Sequence, residues 1–123
     1  MFVQAARIFG IVFLLIGILG FIPAATSNGL FGLFPVDTWH NVVHLVFGAW
    51  GLLAAGSRAG ALVYLKGVAV VYGILAVLGL IGPTKILFDR IALHGPTVWL
   101  HAGLAVVAAY IGIGLADDPK FKA

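Results

Sequence analysis

The chain has 123 residues, 63% hydrophobic and 9% charged, whereas an ordinary soluble domain is roughly half apolar and about a quarter charged. A chain this short cannot hide so much apolar surface in a water-facing core, so the composition points to a bilayer and excludes a disordered chain or a soluble dinucleotide-binding enzyme. With no cysteine and only seven scattered Lys and Arg, it also excludes a disulfide-stapled secreted domain, thiolate chemistry and nucleic acid as a partner.

A membrane-crossing helix needs about 20 mainly apolar residues, and four such runs follow one another. The first covers about residues 8–25, uncharged from Ile8 to Ala25 and closed by Pro23 and Asn28-Gly29. The second covers about 38–55 and stops at Gly56-Ser57-Arg58; the third covers about 61–82 and breaks at Gly82-Pro83. The fourth covers about 97–116 and ends at Asp117-Asp118-Pro119. Arg7 before an apolar stretch imitates a signal peptide, but Pro23-Ala24-Ala25-Thr26 is a poor cleavage site, so this run is read as a retained helix. The expectation is one all-α domain over residues 1–123, an integral membrane four-helix bundle with short connections.

Direction follows from the basic residues near the ends of the runs. Arg7, Arg58, Lys66, Lys120 and Lys122 fall on the side of the termini, Lys85 and Arg90 on the other. Both termini are therefore expected in the cytoplasm. The outer connections are too apolar for free loops: residues 29–36 carry no polar or charged side chain, and residues 85–93 read as an amphipathic turn at headgroup level. Trp39 and Trp99 open the second and fourth runs as interfacial anchors, and Tyr64 and Tyr110 are expected in the inner belt.

The two halves echo each other. A shift of 57 residues lays Gly10 on Gly67, Leu30-Phe31 on Leu87-Phe88 and His44 on His101, while Leu19-Gly20-Phe21-Ile22 resembles Leu78-Gly79-Leu80-Ile81 in a different register. The same order of features recurs: basic residue, glycine, apolar helix, greasy loop, Trp, His, apolar helix. A duplicated two-helix hairpin with parallel repeats is the expected origin.

Four histidines carry what chemistry is visible. Ionisable side chains inside a span are costly and face protein or water. His40 and His44 lie four apart, on one helix face, with Asp37 three residues earlier. His44 and His101 fall at similar depth below the starts of two runs pointing the same way, so they meet if those helices are neighbours. Three uses remain open. One is a hydrogen-bonded polar clamp between helices, with Asn41, Thr97 or a backbone carbonyl as partner. Another is axial ligation of haem b or a chlorophyll by His44 and His101. The third is a metal site from Asp37, His40 and His44, joined by an outer-loop histidine such as His94. Read singly, His94 is a solvated or interfacial side chain, Lys66 snorkels to headgroups, and Asp37 with Thr38 caps the second helix.

Small residues mark packing. Ala69/Gly73, Ala105/Ala109 and Ala108/Gly112 are small-xxx-small pairs, and Gly10/Gly17 and Gly48/Gly51 give further shallow faces. No Gly-Lys-Ser/Thr follows any glycine, so no phosphate loop is present. Ser27 and Ser57 lack triad partners and no acid lies within a run, so catalysis without a bound cofactor is not expected.

Residues 32–45, ending in Trp39-His40-Asn41-Val42-Val43-His44-Leu45, together with Trp99-Leu100-His101 and Tyr64-Leu65-Lys66-Gly67, resemble a family of small bacterial four-span membrane proteins catalogued as a domain of unknown function. The resemblance covers most of the chain; His94-Gly95-Pro96-Thr97 departs from the more Asn/Asp-like stretch expected before Trp99. It implies a bacterial cytoplasmic-membrane location and makes His40, His44 and His101 the positions to test, but implies no activity. The expected function is a non-enzymatic structural or accessory subunit of a larger membrane complex, with lipid and other membrane subunits as partners. A pigment- or haem-binding subunit and an outer-leaflet metal-binding protein are the alternatives.

Overall fold

A computed structural model describes residues 1–22, 38–81, 86–87, 91–92 and 96–121. Among these, four α-helices dominate: α1 (Phe2–Leu19), α2 (Thr38–Ala54), α3 (Arg58–Ile81) and α4 (Pro96–Ala109). The last widens into a π-helical turn, Tyr110–Gly114, and a 3-10 turn, Pro119–Phe121, follows. Phe2–Leu19, Arg58–Leu80 and Thr97–Gly114 are long and apolar enough to cross a membrane; α2 has 17 residues. Two short strands, β1 (Ile86–Leu87) and β2 (Ile91–Ala92), pair antiparallel with Leu87 opposite Ile91. This ladder stands where an amphipathic turn is expected; the rest of 85–93, like the apolar stretch 29–36, lies outside the described residues.

The first helix begins at Phe2 rather than near Ile8. Phe2, Ala6, Phe9 and Phe13 form one buried stripe at helical spacing, and Arg7, exposed on another face, does not interrupt it. The third begins at Arg58 because the Ser57 hydroxyl accepts a hydrogen bond from the Gly60 amide at 3.0 Å, a helix N-cap. Tyr64 is a correction: it is fully buried and donates to the Phe47 carbonyl at 2.9 Å, with Trp50 edge-on at 5.0 Å, whereas Tyr110 is exposed.

The chain folds as two tightly packed pairs, α1 with α2 and α3 with α4, joined chiefly through α3. Their buried faces coincide. On α2 the buried His40, Asn41, His44, Gly48 and Gly51 recur 57 positions later as the buried Thr97, Val98, His101, Ala105 and Ala108 of α4. On α1 the buried Phe2, Ala6, Phe9, Phe13 and Gly17 recur 59 positions later as Ala61, Leu65, Val68, Tyr72 and Ala76 of α3. Contacts repeat as well: Phe13 stacks on His44 at 5.7 Å, its counterpart Tyr72 meets His101 at 5.1 Å, and Phe13 and Tyr72 stack on each other at 5.1 Å.

One end is apolar inside and holds the chain ends; Arg58 packs over Phe2 there and donates to the Ala116 and Phe121 carbonyls. The other end is polar inside. Outward faces are hydrophobic along the helices, with Ile8, Leu15, Val46, Leu53, Val63, Ile74 and Val106 exposed. That arrangement inverts a water-soluble bundle, whose polar residues face outward.

Candidate functional site: a buried three-histidine cluster

Three imidazoles meet at the end of the bundle away from the chain termini. His40 and His44 project from the first two turns of α2, one turn apart on its buried face, and His101 projects from the second turn of α4. They are 4%, 6% and 0% exposed. Ring centroids stand 4.4 Å apart for His40 and His44 and 5.3 Å apart for His40 and His101. One nitrogen from each ring can be chosen so that all three lie within 4.8 Å of one another.

Local packing explains why the rings converge. Phe13 of α1 supports the face of His44, and Tyr72 of α3 meets His101 edge to face. Close approach of α1 and α2 positions the first pair. A methyl on Gly10 would stand 2.9 Å from the Leu52 nitrogen and 3.0 Å from the Gly48 oxygen, both backbone, so only a residue without Cβ fits that crossing.

The hydrogen-bonding state of the cluster is unusual. Among the described residues, His44 Nδ1 and both nitrogens of His101 are buried without a hydrogen-bond partner, as are the hydroxyls of Tyr72 and Thr97. A neutral imidazole carries one donor and one acceptor, and leaving such a group buried and unmatched costs about 1–3 kcal/mol. A polar clamp would use these atoms on protein partners. A cation would use the nitrogen lone pairs directly.

The structure thus brings His44 and His101 together, the pair singled out for axial ligation, and joins His40 to both. Of the residues considered for a metal, His40 and His44 stand together and His101 completes the set; Asp37 and His94 lie outside the described residues. Sequence reasoning did not place Tyr72 at the site. The signal was present in the second register of the repeat, which lays Tyr72 on Phe13.

A protein-family model described as "Domain of unknown function (DUF4383)" matches residues 4–114. No curated protein and no solved structure matches the chain. The chain belongs to the DUF4383 family, as the resemblance read from its sequence anticipated; the description attaches no activity.

Proposed function

We propose that this DUF4383 member is a multi-pass integral membrane protein that binds one transition-metal ion, zinc or copper, through His40, His44 and His101. The observation that carries the reading is the convergence of three buried imidazoles whose nitrogens lie within 4.8 Å of one another, with His101 unpartnered at both nitrogens among the described residues. Nitrogen ligands sit about 2.0–2.1 Å from zinc, so small side-chain rotations would close the set around one ion. Imidazole suits zinc and copper, whereas magnesium and calcium prefer oxygen donors.

Membrane insertion is supported by three helices of sufficient length and apolar character and by hydrophobic outward faces on all four. The parallel duplication is supported by the coincidence of buried positions between the two helix pairs. Arg58 beside Phe2 and Phe121 puts a basic residue at the end that holds both chain ends, and the positive-inside rule makes that end cytoplasmic. The cluster then lies toward the outer face of a bacterial cytoplasmic membrane.

The other readings have less behind them. A macrocycle held axially by His44 and His101 would spread sideways from the line between them, and the His40 ring occupies that side, 4.4 Å from His44 and 5.3 Å from His101. An accessory role resting on glycine-rich docking faces meets the fact that Gly10, Gly17, Gly48 and Gly51 are buried inside the first helix pair. The reading is of a binding protein rather than an enzyme.

Elemental analysis of protein purified from membranes, then dialysed against limiting zinc or copper, tests this directly. One equivalent of metal is expected in the wild type, and about a tenth or less in His44→Ala and His101→Ala. A folded wild type that takes up neither ion would overturn the reading, and a Soret band in the purified protein would restore the macrocycle.

A further inference from the structure

Three imidazoles around one ion leave a coordination position unfilled, and we infer that it takes an exchangeable water or small anion bordered by Thr97 and Tyr72. The inference rests on the metal reading and goes beyond it, because it concerns what the ion holds rather than what holds the ion. A zinc-type ion with three protein nitrogens completes its tetrahedron with an outside ligand.

Two hydroxyls remain after the imidazoles are assigned. Thr97 is 1% exposed and Tyr72 fully buried, and among the described residues neither hydroxyl has a hydrogen-bond partner. Buried hydroxyls in that condition are free to bind a water or a small ligand. Both side chains adjoin His101. Thr97 lies one turn before His101 on the same buried face of α4, and the Tyr72 ring meets His101 at 5.1 Å.

The repeat supplies the second, independent argument. His44 and His101 are equivalent positions, and so are His40 and Thr97, each four residues earlier. His40 stands 5.3 Å from His101, and the same equivalence of positions assigns Thr97 the corresponding place beside His44. Four equivalent positions thus surround the ion, three of them imidazole. The fourth carries a side chain shorter than histidine by most of a ring. The room so left is that of a water-sized ligand, with a hydroxyl to bind it.

Cobalt(II) with azide as probe tests the assignment on purified full-length protein. The wild type binds one cobalt with the intense visible bands of a four-coordinate ion, and azide shifts those bands saturably. Thr97→His supplies the missing imidazole, so cobalt stays bound and the azide response disappears. Thr97→Val and Tyr72→Phe keep the cobalt and weaken azide binding, by about tenfold where a hydrogen bond to a charged ligand is lost. A cobalt-loaded wild type whose spectrum ignores azide would overturn the open position while leaving the metal site standing. Unchanged azide affinity in both hydroxyl variants would remove Thr97 and Tyr72 from its border. Failure to bind cobalt at all would sink both readings together.

Discussion

The two helix pairs bury the same positions with different side chains. In the first, Gly10 meets Gly48 and Gly51, and the α1 and α2 backbones touch. In the second, Ala105 and Ala108 replace the two glycines of α2, and the nearest atom to a methyl placed on Gly73 is the Ala105 Cβ at 3.9 Å. Main-chain contact thus sits at the middle of the first crossing, whereas in the second it is displaced to Gly112, where a methyl would stand 3.3 Å from the Lys66 nitrogen. At the polar end the substitutions run differently: His44 and His101 match, while Thr97 stands where the first pair has His40 and Tyr72 where it has Phe13. The two pairs share one burial pattern, and their inequality is concentrated at the cluster, where it supplies three imidazoles and two hydroxyls instead of a symmetric set.

The largest effect should come from the tight crossing. Gly10→Val places two methyls against the backbone of Leu52 and Gly48, and overpacking of this kind costs about 1–3 kcal/mol. Its counterpart in the second pair, Ala69→Val, should cost well under half as much, because Ala69 is only partly buried. Denaturation in detergent micelles, followed by helicity, measures both. Equal losses would mean that the two crossings are not built differently.

The cluster itself allows a change of sign. His101→Leu removes two buried nitrogens without partners among the described residues, so in chelator-treated protein it should leave stability unchanged or raise it by about 1–2 kcal/mol. In metal-loaded protein the same substitution should lower stability, since the wild type gains the binding free energy of the ion. A polar clamp predicts a loss in both conditions. The pair of measurements therefore separates clamp from metal site without depending on colour or activity.

Much of this architecture could be read from composition and spacing, for physical reasons that also mark where reading stops. Apolar runs bounded by Gly-Pro, Gly-Ser-Arg and Asp-Asp-Pro locate helices α2 to α4, because bilayer thickness and helix breakers act locally. The uncharged run begins at Ile8 but α1 begins at Phe2, because one helix face can carry Arg7 while another buries Phe2, Ala6 and Phe9. Equal depth and direction brought His44 and His101 together on paper. The four-residue spacing already puts His40 on the His44 face; that this face meets α4 is a tertiary fact with no local trace. Tyr64 was assigned to the membrane interface by its chemistry alone; its buried hydroxyl is satisfied by the Phe47 carbonyl, a partner no spacing rule reveals.

That hydrogen bond gives a smaller test of the same contrast. Tyr64 belongs to α3 and Phe47 to α2, so the bond ties one pair to the other. Tyr64→Phe should cost about 1 kcal/mol, the usual net worth of such a bond. It should leave metal content intact, since Tyr64 lies two turns along α3 from Tyr72. Loss of the ion in this variant would mean that the docking of the two pairs, rather than the local rings, governs the site.

The smallest effect belongs to the opposite end of the bundle. Arg58 donates to the Phe121 carbonyl at 3.3 Å and to the Ala116 carbonyl at 3.0 Å, and its guanidinium sits 5.0 Å from the centre of the Phe2 ring. Phe2 in turn meets Phe121 edge-on at 6.2 Å. One side chain at the junction of the two pairs thus gathers the start of the first and the tail of the second. Arg58→Gln keeps an amide donor for one of the two carbonyls and removes the cation from the ring, a contact worth about 0.5–1 kcal/mol when partly exposed. Trypsin cleavage after Lys120 should accelerate a few-fold, because release of the tail unwinds the Pro119–Phe121 turn that holds that bond, while metal content at the far end stays at one equivalent. Unchanged cleavage would show that Phe2 and Phe121 hold the tail without the arginine, and that the seam between the pairs is apolar at this end as well.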